Sequence, residues 1–360
     1  MSEKLKLAIL FGGQSGEHEV SLMSATSVIN NIDRDKYSLY LIGITKSGNW
    51  MMYNGDPDKI EDGSWEKSAV PIVFPADPSY GGFFLLSDPS RVYEVDVIFP
   101  VMHGPHAENG TIQGLFELAQ IPYVGCDVVA SSTGMDKAIS KDIFQRHNLP
   151  QAKYRVILKR DYIEEREKIL SYIESIFDYP VFIKPANLGS SVGISKCYHR
   201  DELAKGLDNA SEYDRKIIVE EFIDGYEIEC AVLGNNHPKA SVLGQIIPCN
   251  DFYDYDAKYF GDGKSKLVIP APLSEQKTNE IRTIAIQAFK ALDCSGLARV
   301  DFFVHGTTDD IYLNEINTMP GFTKISMYPK LWEESGIPYA ELMDKLIDFA
   351  LDRFNEKHNM

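Results

Sequence analysis

Residues 179–197 read YPVFIKPANLGSSVGISKC, two strand-like runs around a turn of glycine and serine. Lys184 closes the first run, and Gly189, Ser190, Ser191 and Gly193 follow. Backbone N–H groups and hydroxyls exposed by such a turn form a concave cradle for an anion. The same residues would also serve an ordinary hairpin turn, and this stretch alone leaves both readings open. It does exclude one common nucleotide fold. The pattern GxxxxGK[ST] is absent, because the GKS at 263–265 has Lys258 where the first glycine belongs. The dinucleotide fingerprint GxGxxG is also incomplete, since GGQSG at 12–16 is preceded by Phe11 instead of glycine.

Outward from this hairpin, the first third of the chain alternates short apolar runs (KLAILF, YSLYLIGIT, VDVIFPVMHG) with amphipathic ones (SLMSATSVINNI, TIQGLFELAQI). That rhythm predicts βαβ units and a parallel sheet, with ligands beyond the carboxyl ends of the strands, where GGQSGE and MHGPHAENG fall. Residues 55–92, rich in Gly, Pro, Asp and Ser, read as an insertion with at most a β-ribbon. The expected units are 1–134, 135–224 and 225–360, consistent with a 360-residue chain exceeding one core. The last carries a long irregular stretch at about 249–270, which suits either an ordinary surface loop or a lid that closes over substrate, and two strands, LARVDFFV and IYLNEIN.

A net charge of −17 disfavours nucleic-acid backbones while leaving room for a small anion held by local lysines. Five cysteines (Cys126, Cys197, Cys230, Cys249, Cys294) form no CxxC pair, which fits neither a disulfide framework nor a zinc site and predicts a reducing cytoplasm. No apolar run approaches the roughly 20 residues of a membrane span.

Arg299 and Asp301, and then Glu315 and Asn317, are each spaced i, i+2, so each pair shares a strand face. A hairpin across HGTTDD would bring Asp301 near Glu315 and Asn317. Two carboxylates about 4 Å apart repel by roughly 4 kcal/mol at an effective dielectric of 20. Either Arg299 neutralises them, or the oxygens bind a hard cation such as Mg²⁺. Both remain open on spacing alone. Lys137 and Lys184 are candidate phosphate cations, Glu220, Glu221 and Glu227 border an interdomain strand, and His103 closes a buried strand before Gly104.

Seven stretches in this order resemble the ATP-grasp ligases, and within them the D-alanine:D-alanine ligase family, over essentially the whole chain: FGGQSGEHEVS, HGPHAENGTIQG, PYVGCDVVASSTGMDK, FIKPANLGSSVGISK, FYDYDAKY, GLARVDFF and NEINTMPGFT. The resemblance implies an α/β architecture of three domains, an N-terminal parallel-sheet domain and two that grasp ATP between antiparallel sheets. By matching position, Lys137 and Lys184 hold phosphates, the Gly189–Ser190–Ser191 loop folds over them, and Lys258 reaches the γ-phosphate. Glu220 and Ile223 contact adenine through their backbone, Glu221 is a further ATP-binding residue of that strand, Glu227 binds ribose, and Asn314 and Glu315 lie on the nucleotide side. Asp301, Glu315 and Asn317 match ligands for two Mg²⁺ or Mn²⁺ ions, with a monovalent cation as a further candidate. Glu17 and His103 face the first D-alanine, while Ser326 and Met327 receive the second. Arg299 and the Gly321 N–H stabilise the oxyanion, and Glu17, Ser190 and Tyr259 form the network that deprotonates the second amine. The implied activity is ATP-dependent synthesis of D-alanyl-D-alanine for peptidoglycan precursors by a cytoplasmic homodimer. D-Lactate and D-serine are the alternative second substrates.

Overall fold

The computed structural model describes residues 4–247 and 266–358. Among them, sixteen strands form three sheets. The first holds β1 (Leu5–Gly12), β2 (Tyr37–Ile44), β3 (Trp50–Tyr53), β4 (Val70–Val73), β5 (Gly82–Leu85), β6 (Asp88–Glu94) and β7 (Val97–Pro100). Here β1 runs parallel to both β2 and β7, as the βαβ rhythm predicts. The segment read as an insertion does more than form a ribbon. Its β5–β6 hairpin is tied through β4 to β3, so an antiparallel meander extends the sheet. Its turn-forming residues, such as Asp77, Pro78 and Gly81, fall between strands and hide them. PYVG makes only a single bridge, Ile98 to Tyr123.

β1 is apolar without alternation because both its faces are buried. Leu7, Ile9 and Phe11 pack with helix His18–Asn31 and with the C-terminal helix Tyr339–His358. Ala8 and Leu10 pack in a second core with Ile112 and Phe116 of helix Thr111–Ala119.

The second sheet contains β8 (Tyr154–Leu158), β9 (Val181–Pro185), β10 (Ser195–Cys197) and β11 (Lys216–Glu221), all antiparallel in the order β10-β9-β11-β8. The opening stretch is its β9–β10 hairpin. Val181, Ile183, Ile217 and Val219 form a core with helices Arg166–Glu174 and Arg200–Tyr213. Period-2 alternation therefore turns Phe182, Lys184 and Glu220 to the opposite face.

The third sheet comprises β12 (Gly225–Gly234), β13 (Lys239–Ile247), β14 (Lys266–Val268), β15 (Gly296–His305) and β16 (Ile311–Asn317). Ile228, Cys230, Val300 and Phe302 pack on helix Glu275–Ala291. Ser274 caps that helix by accepting from the Lys277 N–H at 3.2 Å. The other face carries Glu227, Glu229, Arg299, Asp301 and Phe303. Ala231, Leu233, Leu297 and Phe322 join the first sheet's core, so the terminal helix and the loop after β16 fix this unit to the N-terminal sheet.

Candidate active site

The free faces of the second and third sheets enclose a cavity of about 460 Å³, a size that suits a small-molecule ligand. Phe182, Ile223, Phe303 and Leu313 make one part of its wall apolar, while Lys137, Lys141 and Lys184 supply positive charge. A flat apolar base and a polyanion could thus be held by different parts of one site. Gly189, Ser190, Ser191, Glu221, Glu227, Asp301, Asn314 and Glu315 also line it.

At its base lies a buried ion cluster. Glu220, only 3% exposed, sits 2.9 Å from Lys141 Nζ and accepts from Lys184 Nζ at 2.7 Å. Burial alone would raise the Glu220 pKa, but Lys141 and Lys184 outweigh it and hold the carboxyl down at about 2. For Lys184 burial opposes the charge, yet Glu220 prevails and its pKa stands above the usual lysine value. For Lys141, 1% exposed, burial prevails over Glu220 and the pKa is lowered. Lys184 also donates to Asn314 Oδ1, and Lys141 to the Asn314 carbonyl, both at 3.3 Å.

Asn314 occupies these bonds because β16 is irregular. Asp301 pairs with Glu315 but the next residue, Phe302, pairs with Leu313, leaving Asn314 as a bulge. Leu313 and Ile316 both enter the core, and Asn314 and Glu315 both reach the cavity.

In the β9–β10 turn, Ser190 and Ser191 have φ of +52° and +60° and Gly193 of +73°. Two consecutive non-glycine residues in the left-handed region are uncommon and tend to mark functional loops. Lys137 Nζ secures the turn by donating to the Leu188 carbonyl at 2.8 Å, and it also lies 3.1 Å from Glu315.

Across β12, β15 and β16 the third sheet sets Glu229, Asp301 and Glu315 in one register row, with Arg299 opposite Asn317 in the next. Arg299 donates through Nε and Nη2 to both Asp301 oxygens at 2.8 Å and stands 3.1 Å from Glu229. Both early readings of this hairpin thus have a physical basis. Arg299 does neutralise Asp301, but one guanidinium between two carboxylates leaves an excess negative charge. Asp301, Glu315 and Asn317 supply hard oxygen donors, and no three His, Cys, Asp or Glu form a ready cage among the described residues. Mg²⁺ fits such a set, because it usually takes one or two carboxylates and completes its shell with water and phosphate. The Asn317 Oδ1 accepts from the Met319 N–H at 3.0 Å.

Glu17, from the turn after β1, accepts a hydrogen bond from Ser190 Oγ, which joins the first sheet to the β9–β10 turn. Gly104 leaves Glu17 its space: at φ +75° it has no Cβ, and one added there would fall 2.7 Å from Glu17 Oε2. His103 is buried, with Nε2 3.1 Å from Ser24 Oγ and Nδ1 3.6 Å from Glu108. Ser24 also accepts from the Phe322 N–H at 3.3 Å, linking His103 to the loop that contains Gly321. Ser326 precedes helix Met327–Glu334, and a Cβ on Gly321 would meet its Oγ at 2.8 Å. The Met327 side chain is buried against Gly244. The Glu221 carboxylate accepts from the Lys153 N–H at 2.6 Å. Most of the lid, with Lys258 and Tyr259, lies outside the described residues.

Lys141 and Glu229 are the residues that sequence reasoning missed. Lys141 lies four after Lys137 on helix Lys137–Arg146, hence on the same face, and that spacing was the available signal. Glu229 follows Glu227 by two on β12 and so shares its face.

Residues 6–126 match the family model described as D-ala D-ala ligase N-terminus, and residues 143–348 the one described as D-ala D-ala ligase C-terminus. The D-alanine--D-alanine ligase of Thermoanaerobacter sp. (strain X514) is 55% identical over 356 residues, 99% of each chain. That of Clostridium acetobutylicum is 53% identical, over 98% of this chain and 99% of the relative. Among solved structures, the VanG D-Ala:D-Ser ligase from Enterococcus faecalis aligns with a TM-score of 0.88 at 38% identity, covering 97% of this chain and 100% of that one. The D-alanine-D-alanine ligase from Coxiella burnetii aligns at 0.86, also with 38% identity, covering 99% and 97%. With two antiparallel sheets closing on a lysine-lined cavity and relatives matched end to end, the chain belongs to the D-alanine--D-alanine ligase family.

Proposed function

We propose that this chain joins two D-alanines at the expense of ATP. The observation that carries this reading is the hydrogen bond from Ser190 to Glu17, because it ties the serine turn that lines the cavity to the turn after β1. Adenine lies against the apolar wall with Glu220, Glu221 and Ile223 beside it, Glu227 holds ribose, and Lys137, Lys184 and the serine turn hold phosphates. The first D-alanine binds by Glu17 and His103, and its carboxylate attacks the γ-phosphorus, releasing ADP and leaving an acylphosphate. The second binds by Ser326 and the Met327 backbone; its amine loses a proton through the network of Glu17, Ser190 and Tyr259 and attacks the acyl carbon. Inorganic phosphate leaves as the peptide bond forms. Arg299 and the Gly321 N–H stabilise the intermediate oxyanion. Mg²⁺ held by Asp301, Glu315 and Asn317 would offset charge on the phosphates. Aligning both amino acids in one site can supply on the order of 7–11 kcal/mol of the barrier.

The test is to incubate the protein with Mg²⁺, ATP and D-alanine and to follow ADP and dipeptide together. Absence of D-alanine-dependent ADP release refutes the reading. A second reading, D-serine as acceptor, draws on the likeness to the D-Ala:D-Ser ligase. Equimolar D-alanine and D-serine separate the two, the favoured outcome being D-alanyl-D-alanine as the main product. No helix among the described residues is long and apolar enough to cross a membrane. We propose a cytoplasmic homodimer, on the resemblance alone, with sedimentation velocity as the check on its assembly.

A further inference from the structure

We propose that Glu229 is a positioning residue that keeps Arg299 in place when Asp301 turns towards a cation. The inference rests on the ligase reading of the same site. Arg299 is 6% exposed, Asp301 3% and Glu229 1%, so the three charges share an environment with little water to screen them. On the β12 side the cross-strand neighbour of Arg299 is Ala231, whose small side chain lets the guanidinium lie over the adjacent row, between Glu229 and Asp301.

Asp301 cannot give both oxygens to Arg299 and also serve fully as a cation ligand. With Asp301 as its sole anchor, Arg299 would either hold that carboxylate back or lose its own orientation. Glu229 removes the conflict. It already stands 3.1 Å from Arg299 Nε, and it comes from β12, a strand that supplies none of the proposed cation ligands. Its carboxylate meets the same Arg299 guanidinium that holds Asp301. Its charge therefore acts through Arg299.

The test compares the parent, Glu229→Gln and Glu229→Asp by Mn²⁺ binding without nucleotide, read by electron paramagnetic resonance, and by steady-state kinetics. Partners that orient ligand groups commonly change affinity or activity by about 10–100-fold when removed. In Glu229→Gln, Arg299 is left to Asp301, so Mn²⁺ affinity and kcat should each fall about 10-fold while KM for ATP stays within about twofold. Glu229→Asp keeps the charge but shortens its reach, so Mn²⁺ affinity should stay within about threefold of the parent while kcat falls by at least that factor. A residue with only a structural role would lower thermal stability and leave Mn²⁺ affinity unmoved. Parent-like Mn²⁺ affinity in folded Glu229→Gln overturns the proposal, as does an equal loss of Mn²⁺ affinity in both variants. Should Glu229→Gln be recovered unfolded, Glu229→Asp carries the test, and a parent-like kcat overturns it. An inactive parent would instead count against the ligase reading.

Discussion

Replacing Glu220 by glutamine removes the carboxylate that pairs with both Lys141 and Lys184 in the buried cluster, while keeping its shape. Two independent routes give the size of the effect. A fall in carboxyl pKa from the ordinary 4.5 to about 2 amounts to roughly 3 kcal/mol, each pKa unit being worth about 1.4 kcal/mol. Removing one partner of a buried ion pair costs about 3–5 kcal/mol, because the remaining charge stays desolvated. Glutamine can accept from one lysine, so the lower end, about 3 kcal/mol at pH 7, is expected. The pH dependence follows from the direction of the shift. A carboxyl with a depressed folded pKa stabilises the fold fully above its unfolded value near 4.5, and that contribution is lost as the pH falls through about 2. Parent and variant should therefore differ most above pH 5 and converge as the pH approaches 2. Urea denaturation across this range, followed by circular dichroism and by amide hydrogen exchange in β9 and β11, measures both quantities. Affinity for ATP should fall too, more steeply at alkaline pH, because Lys141 is already disposed by burial to lose its proton. A difference below about 1 kcal/mol at pH 7, or one independent of pH, would refute the assignment of Glu220 as the counter-ion of two charged lysines.

Asn317→Leu removes an oxygen donor proposed for the cation. It should lower kcat by roughly 100-fold or more, while the lost Met319 bond costs at most about 1.5 kcal/mol; full activity in the folded variant would exclude Asn317 from the site. Gly104→Ala puts a Cβ 2.6 Å from Ser15 Oγ and 2.7 Å from Glu17 Oε2 in a left-handed residue. The expected result is a stability loss of about 1–2 kcal/mol and a raised KM for D-alanine with little change in that for ATP. Parent-like kinetics would show that Glu17 does not need the space.

The division of these residues between readable and unreadable follows from the range of the forces that place them. Within one strand, period-2 alternation is local, so Arg299 with Asp301 and Glu315 with Asn317 could be assigned to shared faces from spacing alone. The short HGTTDD connection then made their pairing a small extrapolation. The bulge at Asn314 was not accessible, because an extra residue in a strand of that composition breaks no local rule. The antiparallel meander β3–β6 was concealed for a related reason: its strands are short, and the turn residues between them dominate the composition of 55–92. Lys141 and Glu229 were harder still. A lysine in an amphipathic helix is usually solvated, and a glutamate in a strand usually faces water. What makes Lys141 a site residue is a carboxylate on β11, and what makes Glu229 one is a guanidinium on β15. Each carries a burial cost that only a long-range partner offsets, so its meaning depends on a pairing between sheets or strands that no periodicity reports. The same dependence explains why both are good targets for mutation: their charges have little solvent to fall back on when the partner is removed.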